Sequence, residues 1–372
     1  MRGNVRTSFR GVFTIKDLRD FISKLERSAE LLRIKHQVDW KYEIGEITRK
    51  VKASDSKGHA LLFENIKDYP GFNIFTNGLG SYSRIALALC LEPLTPVKDI
   101  VKVFKQRILE PVKSVMVKDS TFKENIFIGN SVDLTKLPVP WWNREDVGRY
   151  IGTWHLNITK DPETGIRNVG IYRMQFLNSN TTAISISPKS HLAIHLSKSE
   201  RMGKPLEMGV AIGVDEALIM CAAAAVPFGV DEFNVAGGLR QRPVELIKCN
   251  TVDIEVPAHS EIVLEGKILP KVRVKEGPFL DYAGIPKSNP QAPIFEVTGM
   301  MYRNNPFFRG AVIGNAGAED HLLYSFLSKA DCLDFHGSRI RQKIQNALLK
   351  KSLFTAFQFM GRLRQLLKDL RI

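Results

Sequence analysis

Leu18, Phe21, Ile22 and Leu25 recur at the three- and four-residue spacing of one helical face, so the pattern opens with an amphipathic helix. An alternating apolar stretch over Leu31–Val38 follows, then short apolar runs at Ala60–Phe63 and Phe72–Thr76, each read as a strand. Gly78-Leu79-Gly80-Ser81 leads into the apolar run Ile85–Leu91. A glycine turn before a helix can cradle phosphate on free backbone N–H groups, but Gly-x-Gly alone favours a plain turn and helix cap. Residues 1–120 therefore read as an N-terminal α/β domain.

The pattern changes near Asn125. Leu137-Pro138-Val139-Pro140 predicts a rigid extended linker, because each proline also drives its predecessor out of helical geometry. Strands are predicted at Ile151–Thr159, Asn168–Phe176, Thr181–Ser187, Leu246–Val256 and Ser260–Leu264, with a turn at Lys160–Gly165. Ala217–Ala225, a run of small residues after Val214-Asp215-Glu216, predicts a tightly packed helix. Residues 121–316 thus form a strand-rich central domain, a barrel or a sandwich, and residues 317–372 a mainly helical segment. The fold class is α/β, of the multidomain α+β kind.

Composition narrows the function. The chain of 372 residues is 44% hydrophobic and 25% charged, ordinary for a globular protein. No run of about 18 apolar residues predicts a membrane span, and the first residues lack the apolar core of a secretory signal. Cys90, Cys221, Cys249 and Cys332 are scattered, against a zinc site or disulfide framework and in keeping with a reducing cytoplasm. The net charge of +14 resembles that of a nucleic-acid binder until it is mapped. Residues 337–372 hold nine Lys or Arg against one acid, Asp369, so most of the excess sits in the tail and nucleic acid is not an expected partner.

Three places combine polar groups with turn residues. In Arg167–Arg173, strand alternation would put Arg167, Val169, Ile171 and Arg173 on one face, and a plain strand with two surface arginines satisfies the same pattern. Glu276 and Asp281 flank Gly277-Pro278, which could bring two carboxylates together, or simply leave two solvated acids on a turn. Asn168, His191 and Glu232 offer an amide oxygen, an imidazole and a carboxylate suited to a divalent ion, although no spacing rule joins them.

Together these stretches resemble the UbiD family of decarboxylases. The motifs occur in order: Gly148–Thr153, Arg167–Gln175, Asp231–Gly237, Pro243–Cys249, Val256–Ala258 with Glu261–Gly266, and Glu276–Phe279. The resemblance runs from about Ile15 to His321. It implies a split-barrel-like flavin-binding central domain and a non-oxidative, reversible decarboxylase of an aromatic or α,β-unsaturated carboxylic acid. Prenylated FMN is the implied cofactor, with Mn2+ or another divalent metal and K+ as a further ion. The implied metal ligands are Asn168, His191 and Glu232; Ile171 and Arg173 join them around the cofactor. Arg173, Glu276 and Asp281 match the catalytic network, with Asp281 as proton donor. The implied partners are a small carboxylic acid, an enzyme supplying prenyl-FMN and further copies of the same chain.

The sequence also departs from the family. Ser185 and Ser187 stand where larger polar side chains are expected near the cofactor, and Ser190 is likewise small. Beyond His321 the resemblance fades, leaving a C-terminal segment that reads as shortened or divergent. Met360, Leu363, Leu366, Leu367 and Leu370 share a helical face opposite Arg364, Lys368 and Arg371. That helix reads first as a packing or subunit helix, second as a membrane-surface contact. A truncated or non-catalytic subunit of a larger complex is the alternative to an active enzyme.

Overall fold

The computed structural model describes residues 14–54, 58–314 and 317–331. The chain divides into two compact units, Met1–Leu327 and Ser328–Ile372, and the second is described only over residues 328–331, the end of a helix. The basic amphipathic helix expected around Met360–Leu370 lies outside the described residues.

The first helix, Leu18–Arg27, buries all four of its predicted apolar positions and is capped by Asp17, which accepts from the backbone N–H of Asp20. Four short strands form the N-terminal sheet in the order Leu31–Ile34, Ala60–Phe63, Asn73–Thr76 and Phe307–Arg309. The last of these comes from far along the chain and pairs parallel with Asn73–Phe75. The expected strand Leu31–Val38 is shorter than predicted, with Val38 bridging to Ile66 instead. The Gly78–Ser81 turn is a cap: the Ser81 hydroxyl accepts from Arg84 N, ahead of a helix over Tyr82–Ala88. The Glu319 carboxylate already accepts from Leu79 N and the Lys52 ammonium donates to Gly80 O, so the loop's polar groups face protein partners.

A nine-stranded sheet fills the centre, running Tyr150–Gly152, Met174–Phe176, Thr181–Ile184, Pro286–Tyr302, Ile262–Leu280, Leu206–Ile212, His155–Lys160 and Arg167–Gly170. Asn125–Ile128 adds to the Pro286–Tyr302 strand. Its spine is a long antiparallel hairpin, Ile262–Leu280 with Pro286–Tyr302, whose register shifts at several bulges. Bulges bend and twist a strand, which lets the sheet curl. The mixed, strand-rich architecture expected from the sequence is the one observed.

Three predicted strands are corrected. Ile151–Thr159 breaks at Thr153-Trp154, where the Thr153 hydroxyl accepts from Ala311 N. Asn168–Phe176 breaks at Ile171–Arg173. Leu246–Val256 is a hairpin of Glu245–Lys248 with Glu255–Pro257, because the buried Glu265 carboxylate takes the backbone N–H groups of Asn250 and Thr251 and turns the chain there. Glu276-Gly277-Pro278 is no turn either. It lies within the long strand, with Gly277 at φ +88°, and the turn comes later at residues 281–285.

One core joins the two larger sheets. Leu61, Phe63, Ile74 and Phe308 from the first share one cluster with Tyr150, Met208 and Phe295 from the second and with Trp142. Each fully buried side chain of this size contributes about 1.5–3 kcal/mol. The Leu137–Pro140 segment is extended as predicted, but it is buried in this core rather than bridging through solvent.

Candidate active site

The break at Ile171–Arg173 decides where the functional side chains point. Tyr172 N donates to Asn157 Oδ1 (3.0 Å), a side-chain acceptor that replaces the regular strand ladder. A Cβ on Gly170 would lie 2.6 Å from the Tyr172 ring, so the aromatic can fold back only over glycine. The two arginines consequently part company. Arg167 binds Asp231 and Glu255 and so anchors the start of the Glu232–Arg240 helix. Arg173 turns the other way, into the mouth of a cavity.

There Arg173 meets Glu276 in a bidentate pair, Nε to Oε1 at 2.9 Å and Nη2 to Oε2 at 2.8 Å. The Glu276 side chain is fully buried, whereas Arg173 keeps 19% of its own exposed. Tyr150 donates its hydroxyl to the same carboxylate at 2.7 Å, and burial with the adjacent Glu276 charge holds that phenol protonated. A charge-assisted fork of this kind fixes both orientation and charge. Phe279 lies under the guanidinium at 5.1 Å.

Asp281 lines the same cavity but has a different cation. Lys287 forms an ion pair with it, and the backbone N–H groups of Ala283 and Ile285 donate at 3.0 and 3.1 Å. Burial opposes ionisation of Asp281, yet Lys287 and those donors outweigh it and keep the carboxyl below the ordinary range. The two carboxylates that the sequence could bring together therefore have separate cationic partners. The cavity measures about 620 Å³ and is lined by Ile171, Arg173, Ser185, Ser187, Asp281 and Lys287 among others. Asp320 lines it too, and burial above all pushes its carboxyl up to about 6.

Behind Tyr172 lies a second, smaller recess. His191 Nδ1 sits 3.1 Å from Asn168 Oδ1 and 3.9 Å from Glu232 Oε1, while Val169 N donates to Glu232 Oε2 at 2.9 Å. Ser190 caps the helix that begins at His191, its hydroxyl accepting from Ala193 N. Burial pushes the Glu232 carboxyl up, against the opposing pull of His191 and the Val169 N–H. Asn168 Nδ2 is buried without a hydrogen-bond partner. Three residues far apart in sequence thus converge as one amide oxygen, one imidazole and one carboxylate, a donor set suited to a divalent ion. Tyr172 stands between the two recesses: burial raises its phenol, opposed by Leu192 N–H, Asn168 and Ser190.

Comparison with known proteins places the chain in a family. Residues 22–104 match the 3-octaprenyl-4-hydroxybenzoate carboxy-lyase N-terminal domain, and residues 113–316 match the Rift-related domain of the same carboxy-lyases, the UbiD domain. The chain belongs to the UbiD family. An uncharacterized protein of Aquifex aeolicus is 37% identical over 84% of this chain and 67% of its own length. The pyrrole-2-carboxylic acid decarboxylase of Pseudomonas aeruginosa is 32% identical over 86% of this chain and 66% of its own. Among solved structures, an evolved dimeric form of the UbiD-class enzyme HmfF from Pelotomaculum thermopropionicum, in complex with prFMN, superposes with a TM-score of 0.78 at 34% identity, covering 85% of this chain and 71% of that one. The chain spans about two thirds of the length of the curated relatives it matches.

Sequence reasoning assigned no role to Tyr150, Lys287 or Asp320. Lys287 had a faint signal, since a hairpin turn at Ala283-Gly284 folds residue 287 back beside Phe279, two residues from Asp281. Asp320 had none, because its burial depends on packing between distant segments.

Proposed function

We propose that the cavity carries out non-oxidative, reversible decarboxylation of an aromatic or α,β-unsaturated carboxylic acid. The observation that carries this reading is the Arg173–Glu276 fork, reinforced by Tyr150 and opening on a cavity that also holds Asp281. Prenylated FMN, bound along Ile171 and Arg173, would supply the electron sink for the carbon that loses carbon dioxide. A divalent ion such as Mn2+ would be held by Asn168, His191 and Glu232, where His191 Nδ1 lies 3.1 Å from Asn168 Oδ1 and 3.9 Å from Glu232 Oε1.

The chain's own residues perform the rest. Glu276 holds the Arg173 guanidinium in one plane at the mouth, where its exposed edge orients a substrate carboxylate. The apolar wall of Ile171, Phe279 and Ile313 accepts an aromatic or unsaturated body and sheds water. Asp281 stands at the same cavity as the acid that returns a proton to carbon. The decisive experiment is expression alongside a prenyl-FMN-producing enzyme, followed by a visible absorbance spectrum and carbon dioxide release from a panel of aryl carboxylates. A chain that gains the flavin spectrum and releases carbon dioxide supports the reading. A flavin-free chain under those conditions supports a binding subunit instead.

A further inference from the structure

Asp281 poses a contradiction for its assigned role. An acid that must deliver a proton is pinned in its ionised form by Lys287 and by two backbone donors. The contradiction resolves in the charge balance of the cavity. Among the described residues lining it, the cations are Arg173 and Lys287. Arg173 is locked to Glu276 by two hydrogen bonds and also donates to the backbone oxygen of Lys287 at 3.3 Å. The Lys287 ammonium has more freedom: its side chain is 58% exposed on a flexible four-carbon stem, and its partner is a single carboxylate.

An entering substrate carboxylate adds a negative charge to a space that already holds Asp281 and Asp320. Lys287 is the cation able to move toward it. We propose that Lys287 is a counter-ion shared between Asp281 and the carboxylate of the bound substrate, so that binding leaves Asp281 to take up a proton and stand ready as the acid. This rests on the reading of the cavity as a carboxylic-acid site. The other groups around Asp281 leave Lys287 as its ion-pair partner among the described residues. Glu276 is spoken for by Arg173 and Tyr150, Tyr282 and Tyr324 are neutral phenols, and Asp320 is a second acid. Asp146 accepts from Leu280 N beside it, and His321 is engaged with the Tyr282 carbonyl. Loss of a cation next to a carboxyl and arrival of an anion both favour its neutral form. Lys287 thus acts twice, pairing with the substrate carboxylate and releasing Asp281.

The test follows the Asp281 carboxyl carbon by NMR in the flavin-free chain, with the signal assigned by its loss in Asp281→Asn. In the wild type the signal should titrate below the ordinary aspartate range, and saturating benzoate should move its midpoint upward. Lys287→Met should move the midpoint upward without benzoate, nearly abolish the further shift on adding it, and weaken benzoate binding by roughly fivefold, the worth of one part-exposed charge contact. Lys287→Arg should restore the wild-type titration. An Asp281 midpoint unchanged by Lys287→Met overturns the proposal, as does benzoate binding that leaves the midpoint where it was. Neither result touches the carbon dioxide assay, so failure here is distinguishable from failure of the decarboxylase reading.

Discussion

Two arginine–glutamate centres sit in this protein, alike in chemistry and opposite in use. Arg309 is sealed in the interior, where it donates to Glu216 at 2.6 Å and to Glu319, with side chains of Arg309 and Glu216 wholly buried. It ties the strand Phe307–Arg309 to the helices Glu216–Ala223 and Glu319–Asp331, and the cavity of about 330 Å³ beside it is lined by Glu319 but not by Arg309 or Glu216. Arg173 makes an equally tight fork to a buried glutamate, but one edge of it opens on the large cavity. The lesson is that a buried glutamate beneath an arginine says little about function by itself. Access to a space where a substrate can lie is what separates a girder from a site.

That contrast can be broken in several ways. Glu276→Gln keeps shape and hydrogen bonding to Tyr150 but removes the charge that orients Arg173. Turnover of the flavin-loaded chain should fall roughly 10²-fold, the cost of misplacing an orienting group, with the thermal midpoint little changed. Unimpaired turnover would remove Arg173–Glu276 from the catalytic centre.

Arg309→Met should do the reverse. It leaves two buried carboxylates without their cation, a change that costs about 3–5 kcal/mol, read as a lower denaturant midpoint. A variant as stable as the wild type would show that the interior of this centre is wetter than its packing indicates.

The same centre should give stability a pH dependence. One guanidinium faces two buried carboxylates, and burial pushes Glu216 up despite Arg309. A carboxyl raised in the folded state binds its proton more tightly there than in the unfolded chain. Its contribution is therefore complete below the ordinary glutamate range and lost as pH rises through the raised value. Urea unfolding between pH 4.5 and 8 should show this decline, and Glu216→Gln should flatten it. An identical slope in the variant would place the titration elsewhere.

A third pair calibrates the low end. Arg144 and Glu46 meet at 3.0 Å with 70% and 37% of their side chains exposed. Arg144→Ala should cost no more than about 0.5 kcal/mol. A larger loss would trace to the stacking of Arg144 on Tyr42 rather than to the ion pair.

Much of the architecture was legible because it rests on local rules. The four apolar positions of the first helix, the Ser81 cap and the strand Ala60–Phe63 were all readable from spacing and residue type. The helix after Asp215 was too. Strands failed where a distant side chain intervened. Glu265 folds the chain at Asn250-Thr251, and Asn157 breaks it at Tyr172, neither of which a local window contains. The site followed the same division. Asn168, His191 and Glu232 carried no spacing rule, and only the resemblance to the family joined them before the fold did.

The sequence alone therefore determined the family, the strand-rich centre and the placing of more than half of the excess charge in the last residues, and it offered candidates for the chemistry. It could not determine their pairing. Strict alternation put Arg167 and Arg173 on one face, whereas the bend at Ile171–Arg173 gives one to the Glu232 helix and the other to Glu276. Nor could it separate Glu276 from Asp281, which the hairpin delivers to different cations. The reason is physical. Hydrophobic period and turn chemistry act over a few residues, while the partner of a charge is chosen by burial and by whichever segment the tertiary fold carries within hydrogen-bonding distance.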